Sequence, residues 1–156
     1  MYKHLVVAVD GSSTALNALK HACELAVTGK SKLTLVHVAN PAEYMALAPE
    51  FLQHESYEEA AVAQGNEVLG FAEKTARDAG VTEVNTHLLL ALKGAHDMAQ
   101  ELIEYADANA ADLLVLGTHG RSGLMHLLMG SFAETVMRRS HLPLLIIRSQ
   151  KDEEEN

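Results

Sequence analysis

Short, nearly uninterrupted apolar runs recur along the chain, with amphipathic stretches between them. Leu5-Val6-Val7-Ala8-Val9 is the first run, bounded by Asp10-Gly11-Ser12-Ser13. That pattern predicts a buried strand, a turn and a helix start, with Ser12 or Ser13 capping the first helical turn. Leu16, Leu19, Cys23 and Ala26 then follow at spacings of three and four, on one helical face that ends at Gly29. Residues 33–38 predict a second strand. Residues 39–56 contain Pro41 and Pro49 and read as a long irregular connection, a lid or a contact loop, carrying Tyr44, Met45, Leu47, Phe51 and Leu52. A helix is predicted over residues 57–79, with Gly80 as a left-handed cap. Alternation of Val84, Thr86, Leu88 and Leu90 predicts a third strand, and a helix follows over 97–109. Leu113-Leu114-Val115-Leu116 is the fourth strand. A helix over 132–139 and Leu144-Leu145-Ile146-Ile147 after Pro143 complete the chain. Apolar strands alternating with helices call for a mainly parallel sheet covered on both faces, with right-handed crossovers.

Such sheets bind ligands beyond the carboxyl ends of their strands, where the winding direction reverses. The ends to inspect are Val9-Asp10, Val38 and Leu116-Gly117. The last opens Gly117-Thr118-His119-Gly120-Arg121-Ser122-Gly123, and Gly130-Ser131 follows before the next helix. Glycines let backbone N–H groups approach an anion, and a helix N-terminus adds unpaired donors, so the segment suits phosphates. Ser131-Phe132-Ala133-Glu134 has the form of a capping box; Ser131 either caps the helix or meets a phosphate, and the residues alone leave both open. Arg121 either neutralises phosphate charge or points into solvent. His119 lacks an assignable partner acid and reads as no general base. Asp10 stands at a strand's carboxyl end, which favours a site role over a plain turn. Arg138 and Arg139 fall in a last helical turn and complement its dipole.

Two familiar phosphate motifs are excluded. Gly29-Lys30-Ser31 follows a helix, and Glu24 stands where a P-loop needs glycine; the Gly117 segment is G-x-x-G-x-x-G, not G-x-G-x-x-G. No G-x-S-x-G nucleophile turn is present. The nine histidines form no i, i+4 pair, which argues against a structural zinc site.

Bulk properties narrow the picture. The chain has 156 residues, enough for one domain with a substantial core. Its formal net charge is −9, which argues against nucleic-acid partners. Asp152-Glu153-Glu154-Glu155 makes residues 149–156 an acidic tail, expected to be disordered. No apolar run approaches the roughly 18–20 residues that cross a bilayer, and no signal-peptide pattern opens the chain. The expectation is a cytoplasmic protein without membrane insertion. The single cysteine, Cys23, reads as a small core residue.

Gly117-x-x-Gly120, nine residues, then Gly130-Ser131 resembles the G-2x-G-9x-G-(S/T) signature of the ATP-binding branch of the universal stress proteins. Val7-Ala8-Val9-Asp10-Gly11-Ser12 is similar to that family's first strand and turn, and Leu35-Val36-His37-Val38 to its second strand. The resemblance covers about residues 2–148 and implies a domain over 1–148. It implies a single-domain α/β fold with a five-stranded parallel sheet of order 3-2-1-4-5 and helices on both faces, of the adenine-nucleotide alpha-hydrolase-like type. It further implies ATP, or AMP, with magnesium. Ala8 and Val38 would contact adenine through their backbone, and Asp10 would lie near the ribose and any metal. Gly117, Thr118, His119, Gly120, Arg121, Ser122 and Gly123 would wrap ribose and phosphates. Ser131, Phe132 and Ala133 would donate to the phosphate chain beside Gly130. Many relatives carry proline where this chain has Ala8; a backbone contact survives that change, with a less rigid turn. The expected function is an ATP-binding stress regulator whose occupancy controls assembly or a client-protein contact. A homodimer through residues 143–148, or a higher oligomer, is expected. The alternatives are a slow ATPase or adenylyl-transfer enzyme, and an interaction module without nucleotide. Asp10-Gly11-Ser12-Ser13 is too short for the loop of adenylate-forming relatives of this sheet.

Overall fold

The computed structural model describes residues 1–47, 54–93, 95–119 and 130–148. The strands are β1 (His4–Ala8), β2 (Lys32–Ala39), β3 (Val84–Leu90), β4 (Leu113–Gly117) and β5 (Leu144–Ile147). They form one sheet in the order β3-β2-β1-β4-β5, and every neighbouring pair is parallel. The helices are α1 (Ser13–Gly29), α2 (Pro41–Leu47), α3 (His54–Asp78), α4 (Ala95–Ala108) and α5 (Ser131–Arg139).

Two cores explain why the central strands are apolar on both faces. Leu5, Val7, Leu33, Leu35 and Val115 bury one sheet face under α1 and α3 with Leu19, Cys23, Leu69 and Ala76. Val6, Val36, Leu114 and Leu116 bury the other under α4 and α5 with Leu102, Ile103 and Val136. Burial pushes the Cys23 thiol up to about 11, as a core role requires.

The end of α1 departs from expectation. α1 runs through Gly29, and the left-handed cap is Lys30, at φ 54°. Gly80 does cap α3, at φ 98°. The stretch expected to be irregular contains α2. Asn40 precedes it and accepts from the Ala42 N–H at 3.1 Å, Pro41 stands at the first helical position, and Glu43 lies in the first turn. Those three start signals place a helix inside the stretch that reads as an irregular connection. Pro49, Phe51 and Leu52, and the acidic tail, lie outside the described residues.

At the amino end of the sheet, polar groups pin β1. The Asp112 carboxylate accepts the N–H groups of Lys3 and His4 at 2.8 and 2.9 Å. The buried His4 ring lies 2.7 Å from the Thr34 hydroxyl and 3.1 Å from the Asn109 carbonyl. All of this is at the end remote from the cleft.

Candidate functional site

The carboxyl ends of β1, β2 and β4 open into a cleft of about 340 Å³, a size suited to one small ligand. It lies where the sheet reverses its winding, between β1 and β4. Beyond β1 the chain turns at Gly11, whose φ of 84° is strained for any residue with a Cβ. Asp10 Oδ1 accepts from the Ser12 N–H at 2.9 Å and from the Ser12 hydroxyl at 2.6 Å. Ser12 in turn caps α1 by accepting the Ala15 N–H at 3.1 Å. This chain of bonds fixes Asp10, half-buried, on the cleft wall.

Gly117, Thr118, His119 and Gly130 contribute the opposite wall. Gly117 is needed for packing: a Cβ there would sit 2.6 Å from Thr14 Cγ2 and 3.2 Å from the Thr14 backbone. Thr118 is buried; its N–H donates to the Ile147 carbonyl at 2.9 Å, and its own carbonyl accepts the Gly130 N–H at 2.8 Å. That second bond closes the segment and delivers α5 to the cleft. A Cβ on Gly130 would stand 3.3 Å from the Thr118 carbonyl oxygen, a tight contact in an otherwise ordinary backbone conformation. The Thr118 hydroxyl and His119 Nδ1 are 3.0 Å apart. Gly120, Arg121, Ser122 and Gly123 lie outside the described residues.

The capping-box reading of Ser131 is corrected. Gly130 is the N-cap of α5, and no side chain caps the helix. Ser131 is the first helical residue, one position too far along for its hydroxyl to cap. The first intrahelical bond runs from Glu134 N–H to the Gly130 carbonyl. The N–H groups of Ser131, Phe132 and Ala133 therefore have no intrahelical acceptor, and all three residues line the cleft. Arg138 and Arg139 do occupy the last turn, and Arg138 pairs with Glu134 at 2.7 Å on the exposed face.

Ala8 and Val38 line the floor. In the β1–β2 ladder, Val9 N–H donates to the Val36 carbonyl at 2.9 Å. On the other edge of β2, Ala91 N–H donates to the Ala39 carbonyl at 2.8 Å. Alternation along a strand thus directs both polar groups of the Val38 peptide toward β1, past the point where β1 ends.

Several lining residues carry no motif: His37, Asn40, Glu43, Tyr44, Ala61, Gln64 and Met98. They come from β2, α2, α3 and α4, far apart in sequence. The Tyr44 hydroxyl bonds to Gln64 Oε1, tying α2 to α3 over the cleft. One sign was legible for His37, an ionisable residue set between valines near the carboxyl end of an apolar strand.

Parallel order 3-2-1-4-5, a cleft at the switch point, and a helix that starts on the cleft wall without a side-chain cap define an α/β protein with a cleft sized for a small ligand. The fold is of the adenine-nucleotide alpha-hydrolase-like type. The profile of the universal stress protein family matches residues 1–148, and the chain belongs to that family. It is 33% identical over 153 residues to universal stress protein MJ0531 of Methanocaldococcus jannaschii, covering 98% of this chain and 86% of that protein. It is 32% identical over 148 residues to universal stress protein Rv1636 of Mycobacterium tuberculosis, covering 95% and 97% of the two chains. Among solved structures, a universal stress protein in complex with cAMP is 31% identical, with a TM-score of 0.69 over 96% of this chain and 99% of that one.

Proposed function

We propose that this chain binds an adenine nucleotide, ATP or AMP, in the cytoplasm and acts as a stress regulator through that occupancy. One observation carries the reading. The unpaired N–H groups at the start of α5 and the outward Val38 peptide face the same cleft, so one ligand can present an anion to the first and a base to the second. A helix N-terminus suits phosphate. A peptide N–H and C=O side by side suit the acceptor N1 and donor N6 of adenine. Asp10 suits ribose hydroxyls, which its carboxylate would accept. With phosphate oxygens it would also hold magnesium, which commonly takes one or two carboxylates and keeps its waters. The magnesium would neutralise phosphate charge near Asp10. The relative in complex with cAMP supports an adenine nucleotide as the class of ligand and adds a cyclic monophosphate to the ligands worth testing.

In this reading Gly117–Gly123 wrap the phosphates, and Gly130 keeps the approach to α5 open. Occupancy controls either self-assembly through residues 143–148 or contact with a client protein. Hydrolysis is very slow, well below the enzyme median of about 10 per second, because fast turnover needs an oriented water and a base. The deciding experiment identifies the nucleotide that copurifies and titrates the stripped protein with ATP, AMP, cAMP and GTP, with and without magnesium. Adenine nucleotides should bind at micromolar levels and GTP much more weakly. Failure of every adenine nucleotide to bind at millimolar concentration would sink the reading, and turnover at ordinary ATPase rates would replace the regulator with an enzyme.

A further inference from the structure

His37 is the buried polar residue of β2 at the cleft. Its Nδ1 lies 2.8 Å from the Val9 carbonyl oxygen, so the ring donates to the first residue beyond β1. That carbonyl is the acceptor the next ladder bond would use. The ladder's last rung is Val9 N–H to the Val36 carbonyl at 2.9 Å. Continuing it requires Val38 N–H to reach the Val9 carbonyl, and that rung is absent among the described residues. The ring also has a built slot. Gly65 of α3 packs against it so closely that a Cβ would come 2.8 Å from His37 Cδ2, and 2.6 Å from Leu88 Cδ1. A missing side chain on α3 thus makes room for an imidazole that takes a backbone acceptor out of the sheet.

We infer that His37 is a positioning residue for nucleobase recognition: by occupying the Val9 carbonyl it ends the β1–β2 ladder one rung early and keeps the Val38 N–H and C=O open to the base. The inference rests on the adenine-nucleotide reading above. It assigns His37 no contact with the ligand. Without the ring donor, the Val9 carbonyl and Val38 N–H are left as mutual partners, and closing that rung consumes the donor that adenine N1 needs.

The test uses the full chain and three ligands, ATP, GTP and inorganic tripolyphosphate, with amide exchange at Val38 as an independent readout. In the free wild type the Val38 amide should exchange quickly and gain protection when ATP is added. His37→Phe fills the slot without a ring donor; it should bind ATP about tenfold more weakly and narrow the preference for ATP over GTP. Its tripolyphosphate affinity should stay within about twofold, and its Val38 amide should become protected without ligand. His37→Gln restores a donor and should recover most of the ATP affinity. Three results would each overturn the inference: a Val38 amide already protected in the free wild type, wild-type ATP affinity in His37→Phe, or equal losses of ATP and tripolyphosphate that Gln does not rescue. Should His37→Phe fail to fold, the wild-type exchange measurement and His37→Gln still decide. A wild type that binds no adenine nucleotide overturns the parent reading as well, whereas normal wild-type binding with an unaffected His37→Phe overturns this inference alone.

Discussion

Ser131 was ambiguous in the sequence because S-x-x-E serves capping and phosphate binding alike. The structure separates the two by one residue, since Gly130 holds the N-cap position. Ser131→Ala removes no cap, and unfolding free energy should change by less than about 0.5 kcal/mol, against the ~1 kcal/mol typical of a lost cap. If the hydroxyl meets phosphate, the same change should weaken ATP binding several-fold; urea titration beside calorimetry measures both. Gly130→Val should be harsher on binding, because its Cβ enters a 3.3 Å contact with the Thr118 carbonyl that accepts the Gly130 N–H at the cleft. Loss of affinity with an intact circular dichroism spectrum is expected, and unchanged affinity would remove Gly130 from the site. Gly117 answers to a second demand that its place in the signature does not show: it lines the cleft, and a Cβ there would also meet Thr14. Burial, helped by the nearby Lys32 charge, lowers the His4 pKa below its ordinary 6.5, against the opposing Asn109 carbonyl and Asp112 carboxylate. Neutral His4 is then favoured in the fold, and the unfolded chain binds the extra proton. Stability should be full above pH 6.5 and decline as pH falls through the depressed folded value. Burial raises the Asp112 pKa, but the amide bonds from Lys3 and His4 outweigh it and the net shift is downward from 3.8. A second decline should therefore begin below pH 3.8. Urea midpoints across pH 8 to 3 would trace both, and His4→Gln should flatten only the first.

Elements were most legible where one physical signal dominated. Central strands buried on both faces must be mostly apolar, so β1, β2 and β4 stood out as apolar runs, while the edge strands showed as the alternation of β3 and the uncharged run of β5. α2 was obscured inside a stretch that contains two prolines and reads as irregular, although after Asn40 Pro41 is a helix starter. The cleft wall from α2, α3 and α4 was illegible for a different reason: those residues converge only after the sheet is assembled. Helix ends without glycine were also missed. Lys30 and Ala110 adopt φ of 54° and 55° at the ends of α1 and α4. Ala110 holds that conformation because its neighbour Ala111 donates back to the Ala106 carbonyl at 3.0 Å and is itself buried. The left-handed conformation costs a residue with a Cβ about 1–2 kcal/mol, partly offset by the greater entropy glycine loses on folding. Ala110→Gly should thus raise unfolding free energy by about 0.5–1 kcal/mol. Thermal and urea unfolding would check it, and destabilisation would mean the cap holds Ala110 by contacts its methyl group makes.

At the scale of the whole molecule, the sheet leaves β5 at one edge. Leu114 N–H donates to the Pro143 carbonyl at 3.0 Å, and Thr118 N–H to the Ile147 carbonyl at 2.9 Å. Alternation then turns the N–H and C=O groups of Leu144 and Ile146 outward, away from β4. All four β5 residues are only partly buried, and none is charged. Soluble proteins normally protect such an edge with charge, a bulge or a covering segment. A second copy meeting it about a two-fold axis would pair those outward groups and finish burying the strand. The formal charge of −9 on each copy opposes association in general, so a contact between copies is expected on an uncharged strand. Two variants separate the backbone from the side chain. Ile146→Asp places a charge at the contact, although Ile146 also packs against the core beneath α4 and α5. Ile146→Pro removes the outward donor while leaving the bonds between β5 and β4, as proline on an edge strand can. Size exclusion with light scattering should give a dimer mass for the wild type at micromolar concentration and a monomer mass for both variants, with circular dichroism unchanged for at least the proline form. A wild-type monomer, or a well-folded proline variant that keeps the dimer mass, would move the interface away from residues 143–148.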